Sequence, residues 1–148
     1  MATLVRHSIE EDFAAWAQET AELLEQRRFE ELDLADLIEE VRELARAQYR
    51  RLDSQLLRLF SHLLKWTCQA EKRSRSWEIS IFDARDKIET AFKDSPSLRS
   101  RLSAEDIPSI WKRARKRTAL ETGLALETIP NACPWDLDTE VLNTDWLP

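Results

Sequence analysis

The sequence predicts an all-α fold: a bundle of four or five helices, including one long central helix, with an irregular C-terminal tail packed on it. Three observations predict it. Glycine occurs once, at Gly123, and asparagine twice, at Asn131 and Asn143. The tight turns of an antiparallel sheet favour those residue types, so little turn chemistry is present for hairpins. Apolar residues recur at steps of three and four along most of the chain, which is the period of a helix face. Hydrophobic residues make up 43% and charged residues 34% of the 148. That balance suits one globular domain over residues 1–148, long enough to bury a core of its own.

The first helix is expected from about Ser8 to Arg28. Ser8 and Glu11 have the spacing of a capping box, in which each side chain takes the other residue's backbone N–H. Phe13, Trp16, Ala17, Thr20 and Leu24 make one face, and the acids Glu10, Glu11 and Asp12 open the helix while Arg27 and Arg28 close it, as the dipole prefers. Asp33 fits the N-cap of a second helix whose stripe is Leu34, Leu37, Ile38, Val41, Leu44 and Ala45. No Pro or Gly interrupts residues 33–70, so the pattern continues through Tyr49 and Leu52 to about Thr67. A single helix of that extent is about 52 Å long; a kink near Tyr49–Asp53 is the alternative. From Leu56 to Trp66 the helix is apolar around most of its circumference, with Arg58, Ser61, His62 and Lys65 on one narrow stripe, which marks it as central to the fold.

Residues 71–76 read as a loop, with Ser74 or Ser76 capping a third helix that carries Trp77, Ile81, Ala84, Ile88 and Ala91 and ends near Asp94. A short turn is expected at Ser97–Leu102. Ser103 with Asp106 opens the last helix, whose inner face is Ile107, Ile110, Trp111, Ala114 and Thr118 and whose end is Gly123, suited to the left-handed closing position. The tail from Leu124 onward is expected to be mostly irregular, yet it holds Trp135, Leu137, Val141, Leu142, Trp146 and Leu147, enough apolar area to fold back across the bundle.

Charge is placed unevenly. Residues 1–43, 44–117 and 118–148 carry net charges of −9, +9 and −6, which return the chain's −6. Either the acidic ends pack on the basic middle, or the middle presents a basic face to an anion such as nucleic acid. No run of about 18 apolar residues is present, so no membrane association is expected. The start, Met1 to His7, lacks the apolar core of a signal peptide, and the two cysteines, Cys68 and Cys133, make no disulfide framework; both points favour the cytoplasm, with a Cys68–Cys133 bridge the minority alternative.

Several chemistries are excluded by residue type. One glycine cannot build a phosphate loop or a dinucleotide fingerprint. The cysteines and two histidines show no zinc spacing, no Glu-x-x-His pair is present for a bundle di-metal site, and no G-x-S-x-G elbow presents a serine. No metal and no cofactor is therefore expected.

Three segments remain as candidate sites. His62 sits one turn from both Arg58 and Lys65, where it serves either as a general base or anion ligand or as a half-buried histidine bonded to a neighbouring helix. Arg73-Ser74-Arg75-Ser76-Trp77 places two guanidiniums before a helix N-terminus, where N–H groups and the dipole attract anions. Lys65 and His62 with Arg73 and Arg75 form the candidate anion-binding set; ordinary capping and ion pairing is the plainer reading. Lys112, Arg113, Lys116 and Arg117 form the candidate nucleic-acid-binding set, which would meet phosphates without reading sequence; a solvated outer face covered by the acidic tail is the plainer reading.

Six segments in order carry a resemblance. They are Leu32-Asp33-Leu34 with Leu37-Ile38-Glu39-Glu40-Val41, then His62-Leu63-Leu64-Lys65-Trp66, Arg73-Ser74-Arg75-Ser76-Trp77, Ser95-Pro96-Ser97-Leu98, Glu121-Thr122-Gly123-Leu124 and Cys133-Pro134-Trp135. The chain resembles the bacterial family known as domain of unknown function 29, from about Phe13 to Pro148; Ser61 stands where the family often has Met. The resemblance implies a helical fold and a bacterial origin and brings no activity. The leading expectation is a non-enzymatic interaction or oligomerising protein that meets itself or another protein. A nucleic-acid-associated protein and an enzyme or anion-ligand site around His62 are the alternatives.

Overall fold

The computed structural model describes residues 7–148; most of the segment read for a signal peptide, Met1 to Arg6, lies outside the described residues. Four α-helices form, α1 (Phe13–Glu25), α2 (Leu34–Cys68), α3 (Arg75–Asp94) and α4 (Asp106–Thr122). Three-residue 3-10 turns lie at Phe29–Glu31, Ala70–Lys72 and Leu126–Thr128, a longer one at Pro96–Leu102, and a π-type turn at Leu137–Val141. No strand is present among the described residues.

α1 begins later than Ser8 because the Ser8–Glu11 box closes a turn of its own: Ser8 N–H donates to Glu11 (3.3 Å) and Glu11 N–H to Ser8 Oγ (3.2 Å). Asp12 is the actual cap, its carboxylate accepting from Ala15 N–H at 3.0 Å. The helix stops short of Arg28 because Arg27 turns left-handed (φ 56) and Arg28 pairs with Glu31. Asp33 caps α2 through Asp36 N–H at 3.2 Å. α2 runs as one helix of 35 residues, unbroken through Tyr49–Asp53. Ser74 caps α3 as the sequence indicates. α4 starts at Asp106 rather than Ser103, because the Ser103 hydroxyl donates to the Asp106 carboxylate (3.0 Å) instead of accepting from the helix. Gly123 closes α4 at φ 73.

The chain forms two compact units, residues 1–47 and 48–148, and α2 supplies residues to both. In residues 48–148 the core gathers on the second half of α2: Leu56, Leu59, Phe60, Leu63 and Leu64 are wholly buried, with Ile81, Ala84 and Ile88 of α3, Ile107, Ile110, Trp111 and Ala114 of α4, and Ile129 and Val141 of the tail. Each such large side chain contributes roughly 1.5–3 kcal/mol on burial. Rings stack edge to face from α2 out into the tail: Phe60–Trp111 at 5.1 Å, Trp111–Trp135 at 5.6 Å and Trp135–Trp146 at 5.6 Å between centroids.

Polar groups fasten what the rings position. Trp111 Nε1–H donates to the Pro130 carbonyl (3.0 Å), and Arg115 donates to the Ile129 and Leu126 carbonyls and to the Asn131 side chain. Arg85 on α3 is buried and donates from Nε to the Val141 carbonyl at 2.8 Å. Arg101 joins Asp53 (2.9 Å) to Asp106 (3.2 Å). The tail is thus folded onto the bundle, as its apolar content requires.

In residues 1–47 far less is covered. Among the described residues only Trp16 and Leu23, both on α1, are buried there.

Candidate functional site

The stripe predicted for α2 is one continuous face, but it is covered along only part of its length. From Leu52 through Leu56, Leu59 and Leu63 it is at most 2% exposed. Toward the helix start the same face stands open: Leu34 is 56% exposed, Ile38 48%, Val41 57% and Leu44 70%. On α1, Phe13 and Leu24 are exposed beside the buried Trp16 and Leu23, and Phe29 follows in the next turn. The four open side chains of α2 follow one another at helical spacing and form an uncovered apolar row. The helix that carries the row is salted on its outer faces: Arg46 pairs with both Glu39 and Glu43.

In the same unit a cavity of about 480 Å³ is lined by His7, Trp16, Glu19, Leu23, Asp33 and Asp36 among others. The His7 ring bonds Glu19 at 2.7 Å. That hydrogen bond, with the carboxylate's charge, raises the His7 pKa above the ordinary histidine value.

The predicted anion-binding set is placed around the end of α2. His62 is half-buried, and its Nδ1 hydrogen-bonds to the Arg58 carbonyl at 2.8 Å. With the proton on Nδ1, Nε2 keeps its lone pair. Burial lowers the His62 pKa, Lys65 and Arg58 add in the same direction, and the bond to the carbonyl opposes them. Lys65 meets Glu121 of α4 at 3.0 Å and lies over the Trp77 ring at 5.5 Å. Burial would raise the Glu121 carboxyl, but hydrogen bonds from Arg117 and Lys65 outweigh it and hold the group below its ordinary range. Arg73 goes elsewhere: it donates to the Trp66 carbonyl (2.8 Å) and stacks on the Trp66 ring at 5.0 Å. Arg75 is exposed at the start of α3. The structure therefore brings His62 and Lys65 into one polar cluster with Glu121 and Trp77, and gives Arg73 to Trp66.

Of the predicted nucleic-acid set, Lys112, Arg113 and Lys116 are exposed on α4. Arg117 pairs with Glu121 at 2.8 Å. Of the acids in residues 118–148, Glu121 of α4 and Asp138 of the tail engage the basic middle, the latter 3.6 Å from Arg99. Among the described residues no group of three or more His, Cys, Asp or Glu is placed to hold a metal ion, and no helix is long and apolar enough to cross a membrane. Cys68 and Cys133 are free, and burial raises both thiols above their ordinary range.

Sequence reasoning missed the open face. It found the apolar stripe of α2 and did not say where along the helix that stripe is covered. Nor did it single out Arg115, which three acceptors of the tail hold.

Fold and surface together define an all-helical protein with a long helix whose apolar face is half covered. The chain belongs to the family described as Domain of unknown function DUF29, whose sequence model matches residues 9–147. No curated protein and no solved structure matches the chain.

Proposed function

We propose that this chain is a non-enzymatic protein-interaction module, and that its docking surface is the apolar row on the first half of α2. One observation carries the reading: a single helix face is buried from Leu52 onward and open from Leu34 to Leu44. Open aliphatic side chains at helical spacing are the anchors by which a helix meets another helix or a groove, and covering them removes apolar area from water at roughly 25 cal/mol per Å². A cytoplasmic, bacterial setting accords with the family resemblance and the cysteine usage.

Native mass spectrometry of the chain, isolated gently from cells that make it at ordinary levels, tests this. The expected spectrum of the unaltered chain shows added protein mass, and Val41→Glu removes it while circular dichroism stays helical. A bare chain in both samples, or a complex that survives Val41→Glu, overturns the reading.

A basic surface for nucleic acid is the second reading, favoured by Lys112, Arg113 and Lys116 exposed together on α4. It predicts binding to a duplex of any sequence that weakens steeply with salt. Absence of binding at low salt, or binding indifferent to salt, refutes it.

A further inference from the structure

Among the described residues Arg85 is the one charged side chain that is buried, at 4% exposure. It is held without a counter-charge. Nε donates to the Val141 carbonyl at 2.8 Å, and Nη2 reaches the Glu140 carbonyl at 3.4 Å. Both bonds leave from one edge of the planar guanidinium. Among the described residues no carboxylate lies within ion-pair distance of Arg85, and Nη1 has no acceptor. A guanidinium taken out of water is costly unless an opposing charge accompanies it. The edge formed by Nη1 and the second Nη2 proton matches the two oxygens of a carboxylate.

That edge belongs to a cavity of about 230 Å³ within residues 48–148. Arg85, Ile88, Glu89 and Phe92 line it from one face of α3, at the helical spacing of three, four and seven positions. Arg99 lines it from the 96–102 turn and lies over the Phe92 ring at 5.1 Å. Asp138 and Leu142 line it from the tail. The charges differ in depth. Arg85 is buried, whereas the side chains of Glu89 and Asp138 are 61% and 73% exposed and so belong to the mouth. Their own partners hold them loosely: Glu89 is 3.4 Å from Lys93, and Asp138 is 3.6 Å from Arg99. Exposed pairs of this kind contribute little, so either acid can turn to a ligand at small cost.

We infer that this cavity binds a small zwitterion of the amino-acid class. Its carboxylate lies on the free edge of Arg85, its ammonium meets Glu89 and Asp138 at the mouth, and its aliphatic side chain packs on Ile88, Phe92 and Leu142. A plain anion would meet the two acids without compensation, and a plain cation would leave Arg85 as it is. Arg85 belongs to α3, while Asp138 and Leu142 belong to the tail, so the occupant joins the two. The open face of α2 has no part in this site, and the inference does not rest on the interaction reading.

Leucine and valine are the probes, titrated into the full chain labelled with nitrogen-15. The expected result is saturable shifts of the Ile88, Phe92 and Leu142 amides and of Arg85 Nε–H. A Kd on the order of 1 mM suits a ligand of so few atoms. Amide exchange across Leu137–Val141 is expected to slow when the ligand is bound. N-acetyl-leucine lacks the ammonium and 3-methylbutylamine lacks the carboxylate; each is expected to bind about tenfold more weakly than leucine or worse. Glu89→Gln combined with Asp138→Asn changes exposed positions only and is expected to weaken leucine about tenfold. Arg85→Lys keeps the charge and removes the fork, and is expected to do the same where its helical spectrum is retained. Absence of shifts with both probes, shifts that fall outside the cavity, equal affinity for leucine and N-acetyl-leucine, or leucine binding unchanged in the Glu89→Gln, Asp138→Asn protein overturns the proposal.

Discussion

Arg85→Met isolates what fastens the tail. Arg85 is 4% exposed, and burial alone lowers its pKa, so the fold carries a desolvated guanidinium. Its return is the hydrogen bond to the Val141 carbonyl at 2.8 Å, with a longer one from the terminal nitrogen to the Glu140 carbonyl at 3.4 Å. Methionine keeps most of the apolar stem and removes both donors. Hydrogen bonds from a charged group are worth about 1.5–3 kcal/mol, and a buried carbonyl left without a donor costs about 1–3 kcal/mol. Relief of the guanidinium's desolvation offsets part of this. The 3.4 Å contact is near the limit of a hydrogen bond and adds little. The net expectation is a loss of about 2 kcal/mol, or about 4–8 °C in Tm for a chain of this size. Urea unfolding measures the loss, and amide exchange locates it, with protection falling first across the Leu137–Val141 turn. A variant as stable as the original, with unchanged exchange in that turn, would show that the rings alone hold the tail and that the argument from Arg85 is wrong.

Gly123→Ala is expected to cost about 1 kcal/mol in urea unfolding: a Cβ there meets nothing within 4 Å, so the cost is the left-handed backbone alone. Leu56→Ala and Leu44→Ala change the same residue type on one face of one helix. The first empties a fully buried site and is expected to cost about 2–5 kcal/mol; the second stays within about 0.5 kcal/mol when measured on dilute protein. Equal costs would mean that Leu44 is covered in the monomer. His62 gives a pH dependence. Its folded pKa is lowered, so the unfolded chain takes up the proton first, and stability that is complete above the ordinary value of about 6.5 declines as pH falls through it toward the lower folded value. His62→Gln is expected to show a flatter decline in Tm across that window than the original chain; parallel declines would place His62 in an environment no different from water.

Much of the fold could be read from residue order because local signals and tertiary demands agree. Asp33, Ser74 and Gly123 act as the caps their chemistry suits, and no Pro or Gly breaks α2. The misread boundaries share one cause, since short-range side-chain bonds compete with the helix. Ser8 with Glu11 closes a separate turn, and Ser103 spends its hydroxyl on Asp106. The partners of the cations were less legible. Lys65 and Glu121 are 56 positions apart, as are Arg85 and Val141, and nothing local distinguishes Arg115, held by the tail, from its exposed neighbours Lys116 and Arg113.

The open face was invisible for a deeper reason. Helical periodicity reports that a face avoids water; it does not report what covers that face. Leu44 and Leu52 obey the same period and are 70% and 2% exposed. What separates them is the supply of partners: Leu52 lies within the core built with α3, α4 and the tail, while among the described residues up to Ala47 only Trp16 and Leu23 are buried. A stripe that long on a helix of 35 residues asks for more apolar surface than its own unit provides.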